Sequence, residues 1–157
     1  MTRSTIHEFV QPQWFLPLFV AMWFGITGLL SHIGGWASLA SAFLAHDDVA
    51  GERFRFRSGS LGKKFFPVNY GNCLFFTVSE SGFRLSILFP FRFLSPPIFI
   101  PWDKVESVEE KQVFFFSYHV VSIRDHWSRI SVRGSLGALL KERFEAYREK
   151  DKGKGKG

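Results

Sequence analysis

Trp14 to Leu30 reads WFLPLFVAMWFGITGLL, interrupted only by Pro17, Gly25, Thr27 and Gly28. Extended to Ile33, the stretch is about 20 residues and about 30 Å long as a helix, which matches the hydrocarbon thickness of a bilayer. Apolar residues run all the way round it, unlike a surface helix with one apolar face. Pro17 falls in the first turn, where its missing N–H costs nothing, and glycine is common in membrane helices. This predicts one transmembrane helix over 12–33. Trp14, Phe19, Val20, Trp23, Phe24, Leu29 and Leu30 lie along the span, and Trp14 and Trp36 bracket it at the headgroup levels.

Charge supports the same division. No Asp, Glu, Lys or Arg occurs between Glu8 and Asp47, and Arg3 is the only Lys or Arg in the first fifty residues. The other 19 of the 20 basic residues lie beyond it, in a chain of 157 residues with net charge +6. Hydrophobic content of 46% excludes wholesale disorder, and a single cysteine, Cys73, excludes a disulfide framework and any multi-cysteine zinc site. Arg53, Arg55, Arg57, Lys63 and Lys64 follow the span and favour a cytoplasmic carboxyl side. The competing reading is a secreted or periplasmic domain behind a cleaved signal peptide, with Ala40-Ser41-Ala42 as the cleavage site. Against it stand the length of the apolar run, Glu8 in the lead, and bulky Trp36 before the site.

Gly34-Gly35 breaks the helix. Trp36 to Ala45 then reads as a short connector helix, lying on the membrane or packed against the domain behind it. From Glu52 the period changes from helical to alternating. ERFRFRSG (52–59) sets Phe54 and Phe56 on a core face and Arg53, Arg55 and Arg57 on the other. Strands are expected at 73–79, 83–89, 98–100, 105–110, 113–117, 119–124 and 129–132, with turns at Glu80-Ser81-Gly82 and Ser95-Pro96-Pro97. Leu136, Leu140, Phe144 and Tyr147 recur at helical spacing, predicting a final helix from Ser135 to about Lys150. The expected organisation is a tail (1–11), a span (12–33), a connector and linker (34–50), a mainly β domain with a carboxyl-terminal helix (51–150), and a disordered basic tail (151–157). About twenty residues would then tether the domain to the span. Trp102, after Pro101, is expected to plug one open end of a sheet sandwich or barrel, with Leu136, Leu140 and Phe144 in the core.

Strands closed by one carboxyl-terminal helix, together with Ile98-Phe99-Ile100-Pro101-Trp102-Asp103-Lys104-Val105 and Val108, resemble the pleckstrin-homology-like and GRAM-type modules. The resemblance covers roughly residues 50–150. It implies a bent sheet sandwich and a lipid- or protein-binding role rather than catalysis. Lipid-binding members carry a second basic pair where this chain has FFPVNY. That departure implies no stereospecific recognition of one headgroup.

Arg53, Arg55, Arg57, Lys63 and Lys64 are the candidate contact for anionic lipid headgroups or a protein partner. Basic side chains near an anionic surface contribute about 1 kcal/mol each. Nucleic acid is not expected, since no helix-turn-helix, zinc or RNP pattern accompanies the basic residues. Catalytic residues, cofactors and metal ligands are not expected either. His119 and Asp125 could serve a hydrolase, but no G-x-S-x-G context supports them. Seven residues of extended chain would hold His119 and His126 about 23 Å apart. The reading is a membrane-anchored binding or scaffolding module at the bilayer surface.

Overall fold

The computed structural model describes residues 12–89 and 91–156, apart from the side chains of Pro12 and Phe93. The expected amino-terminal tail (1–11), Pro90 and Gly157 lie outside the described residues. Helix α1 (Pro12–Ile33) leads into α2 (Trp36–Phe43). Seven strands follow: β1 (Glu52–Gly62), β2 (Pro67–Val78), β3 (Gly82–Ile87), β4 (Ile98–Pro101), β5 (Val105–Val113), β6 (Phe116–Ile123) and β7 (Arg129–Arg133), before α3 (Ser135–Lys154).

The strands form one curled antiparallel sheet in the order β4-β3-β2-β1-β7-β6-β5, giving a mainly β, α+β fold. Two meanders, β1 to β4 and β5 to β7, are joined where Gly59–Gly62 of β1 pairs with Arg129–Val132 of β7. Alternation gives the curled sheet one apolar face. Phe83, Leu85 and Ile87 of β3 and Ile130 and Val132 of β7 point to the inner face and are buried. The open end of the inner face is closed by Trp102 and by α3, whose Leu136, Leu140 and Phe144 enter the core at one-turn spacing. Trp102 packs against Phe83 and Phe144 and donates its indole N–H to the carbonyl of Ser79 at 3.1 Å.

Several boundaries differ from the expected ones. The segment 113–117 is not a strand of its own. It is the turn of the β5–β6 hairpin, in which Val113 pairs with Phe116 across Phe114-Phe115. Helix α3 continues past Lys150 to Lys154, where Lys152 and Lys154 in its last turn complement the negative end of the helix dipole. The connector helix belongs to the core: Trp36 and Leu39 are fully buried, and Trp36 donates its indole N–H to the carbonyl of Pro96 at 2.8 Å. Trp36 is thus an interior residue, not an interfacial one. With α2 folded back, the only joint between α1 and the packed domain is Gly34-Gly35. Gly35 has φ of 75°, and a Cβ there would run into Trp127 and Ser128.

Helix α1 carries a 21-residue segment, Gln13–Ile33, long and apolar enough to cross a membrane. Only 11% of its most apolar window is buried, unlike a helix at the centre of a soluble core.

Candidate functional site

Three connections of the sheet converge where α1 ends. The β1–β2 turn approaches through Gly62, and through Val68 and Tyr70, which closely flank Gly34. The β3–β4 connection approaches through Leu94, whose carbonyl accepts the Ser31 hydroxyl at 2.8 Å. The β6–β7 connection approaches through His126, with Nε2 3.0 Å from the Ser38 hydroxyl, and through Trp127 beside Gly35. Burial pushes the Tyr70 phenol up to about 12, and its ring packs on Trp36 with centroids 5.7 Å apart.

From this junction a groove of about 520 Å³ runs across the outer face of β1, β7 and β6. Its floor is small and polar, with Ser58, Ser60, Asn69 and Ser131, because these alternate with the inward core residues. Five cations line it, Lys63, Lys64, Lys111, Arg129 and Arg133, and among the described residues no Asp or Glu does. Among the described residues only Lys111 of these five has an acid within 4.0 Å, the exposed Glu109 at 3.7 Å. Three of the cations lie over aromatic rings instead: Lys63 over Trp127, Lys64 over Phe65 and Arg133 over Phe116, at 5.2, 5.7 and 5.7 Å. The groove is thereby flanked by two aromatic turns. Phe65 and Phe66 are exposed on one, and Phe114 and Phe115 are 93% and 98% exposed on the other.

The five basic residues singled out from the sequence do not form one cluster. Lys63 and Lys64 enter the groove. Arg53 and Arg55 instead line a separate recess of about 450 Å³ with Arg84, Arg92, Asp47 and Asp48, where Arg84 is paired with Asp48. Arg57 turns the other way. The register of β1 on β2 jumps between Phe54↔Phe76 and Arg57↔Leu74, so Arg55 and Phe56 together oppose one residue, Phe75. This bulge, with φ of 54° at Phe56, puts Arg57 on the side of Phe54, 5.4 Å over its ring. It also corrects the core assignment. Phe54 packs partly buried against the core, but Phe56 is 59% exposed and stacks edge-on against Phe75. Lys111, Arg129 and Arg133 were missed in the sequence. The period-two pattern of RISVR does place Arg129, Ser131 and Arg133 on one face, but nothing local shows that β7 lies beside β1.

The polar pairs at the junction are staples. The backbone N–H of Ser128 donates to His126 Nδ1 at 3.1 Å, so the ring proton sits on Nε2 and is donated to the Ser38 hydroxyl. A base acting on that serine would need a free lone pair at Nε2. Burial holds the His126 pKa below the usual range. His119 is buried against Gly137 of α3, and Asp125 is an exposed turn residue with φ of 58°. Among the described residues no three His, Cys, Asp or Glu side chains are grouped to hold a metal ion. Cys73 is partly buried and donates its thiol to the carbonyl of Gly71.

No protein-family model matches the chain, and no curated protein is similar to it.

Proposed function

We propose that this protein is a single-pass, membrane-anchored binding module of the pleckstrin-homology-like kind, whose basic outer groove contacts anionic lipid headgroups. The observation that carries the reading is the groove itself: five cations and, among the described residues, no acid, starting at the turn that touches the end of α1. Such a surface, held at an anionic leaflet, gains about 1 kcal/mol per cation within a Debye length of about 8 Å. The flanking exposed phenylalanines are apolar groups that can bury at the headgroup–acyl boundary. The concentration of Lys and Arg beside the end of α1 favours a cytoplasmic domain, on the side where anionic lipid is enriched.

Retention of α1 is favoured over a cleaved signal by the packing of α2. Cleavage after Ala42 would remove Trp36 and Leu39, both fully buried in the core.

Lysine footprinting of the full chain in lipid nanodiscs tests the groove. Lys63, Lys64 and Lys111 are expected to be acetylated more slowly in anionic than in neutral discs. The difference should vanish at about 1 M salt, where the Debye length is about 3 Å. Arg129→Glu with Arg133→Glu should weaken the protection, and Arg53→Glu with Arg55→Glu should leave it in place. Equal reactivity in the two kinds of disc would sink the proposal.

A further inference from the structure

The β3–β4 connection, described over residues 88–89 and 91–97, runs beside α1. Ser31 bonds the carbonyl of Leu94, Gly28 faces the Leu94 side chain, and Trp23 packs on Phe91 with ring centroids 5.2 Å apart. Phe89 and Leu94 also share an apolar recess of about 280 Å³ with Phe19, Val20, Trp23 and Phe24. Trp23 lies ten residues before Ile33, about 15 Å along the helix axis and half the thickness of a hydrocarbon core. The span has no length to spare, because 21 residues only just cross.

We infer that this connection is a second membrane-embedded element, immersed in the acyl chains of the leaflet nearest the domain. The inference rests on α1 being a span. Three further observations carry it. Phe89 is 72% and Leu94 40% exposed, continuous with the exposed apolar surface of α1. Several of its backbone groups are paired within the protein, which favours a medium without water, where each unpaired polar group costs several kcal/mol. Leu88 N–H bonds Cys73, and the carbonyls of Leu88, Arg92, Leu94, Pro96 and Pro97 accept from Phe91, Ser95, Ser31, Trp36 and Ala45. Pro96 and Pro97 bring no N–H to satisfy. Finally, the one charged side chain of the segment, Arg92, leaves the apolar side and lines the polar recess with Asp47 and Asp48, as a snorkelling arginine does. The domain is therefore docked on the bilayer at a set angle and does not swing on a tether.

Single cysteines at Phe89 and Leu94, in a full chain carrying Cys73→Ala, can be labelled with an environment-sensitive fluorophore and reconstituted into phosphatidylcholine–phosphatidylglycerol vesicles. Val20 on α1 and Ser81 in the β2–β3 turn are the references. The labels at Phe89 and Leu94 are expected to be quenched by spin-labelled acyl chains and not by aqueous iodide, as at Val20. Quenching of both by iodide, with Val20 still lipid-quenched, overturns the inference and leaves the span standing. Iodide quenching at Val20 overturns the span itself. Shielding of Phe89 from both quenchers assigns its surface to a second protein chain and overturns the lipid assignment. Hydroxyl-radical labelling of the unsubstituted protein in vesicles serves if a variant does not fold. Phe89 should then stay unoxidised while Phe56, exposed on the outer face, is oxidised; oxidation of both contradicts the inference.

Discussion

Trp36 and Trp102 close the interior from two directions, each with its indole N–H on a backbone carbonyl. Truncation of either to alanine leaves a ring-sized cavity and an unpaired acceptor, and should cost about 3–5 kcal/mol. Thermal unfolding of the full chain in detergent measures it. An unchanged melting curve for Trp36→Ala would return that residue to the lipid interface. Burial holds the His126 pKa below its ordinary value, and the hydrogen bond to Ser38 offsets this only in part. Its folded pKa lies below the unfolded value of about 6.5, so the stability it confers is complete above about pH 6.5. That contribution is lost as pH falls from there through the folded pKa. Between about pH 7.5 and 5.5 the native chain should therefore lose more thermal stability than His126→Asn, whose amide oxygen can still accept from Ser128. Equal losses would show that His126 is not the group responsible.

Among the elements, regular strands were legible and irregular ones were not. In β3 and β7 the apolar side chains alternate without interruption, and their inward faces follow directly from the residue types. In β1 the alternation of Arg and Phe looks just as regular, yet the bulge at Arg55-Phe56 exchanges the faces beyond it. No glycine marks the bulge, and the residue at positive φ is a phenylalanine. Helix α2 was ambiguous for another reason. An apolar face meant for lipid and one meant for a protein core have the same composition, so only the contacts of Trp36 and Leu39 decide between them. The joint before α2 depends on Gly35. Gly35→Ala, with positive φ and a Cβ driven into Trp127 and Ser128, should destabilise the fold by about 1–3 kcal/mol. Gly25→Ala, where nothing lies within 4 Å, should leave the melting temperature unchanged. Equal effects would mean that the α1–α2 joint is looser than described.

At the scale of the whole molecule, the division into an apolar helix and a mainly β domain was readable from charge and period alone. The groove was half readable. Lys63 and Lys64 stand out as a pair, but their partners come from strands more than forty residues further along the chain. Only the pairing of β1 with β7 brings them together. The tether expected between span and domain is replaced by a two-residue joint, because the connector helix is spent on the core. Helix α1 and the domain are thus parts of one structure, and this makes the fate of α1 the central question. The measurement that tests it most directly is the mass of the intact protein recovered from cell membranes after alkaline carbonate washing. The account predicts a carbonate-resistant chain that retains α1 and α2. A carbonate-soluble chain, or one beginning at Phe43 after cleavage at Ala42, would contradict it.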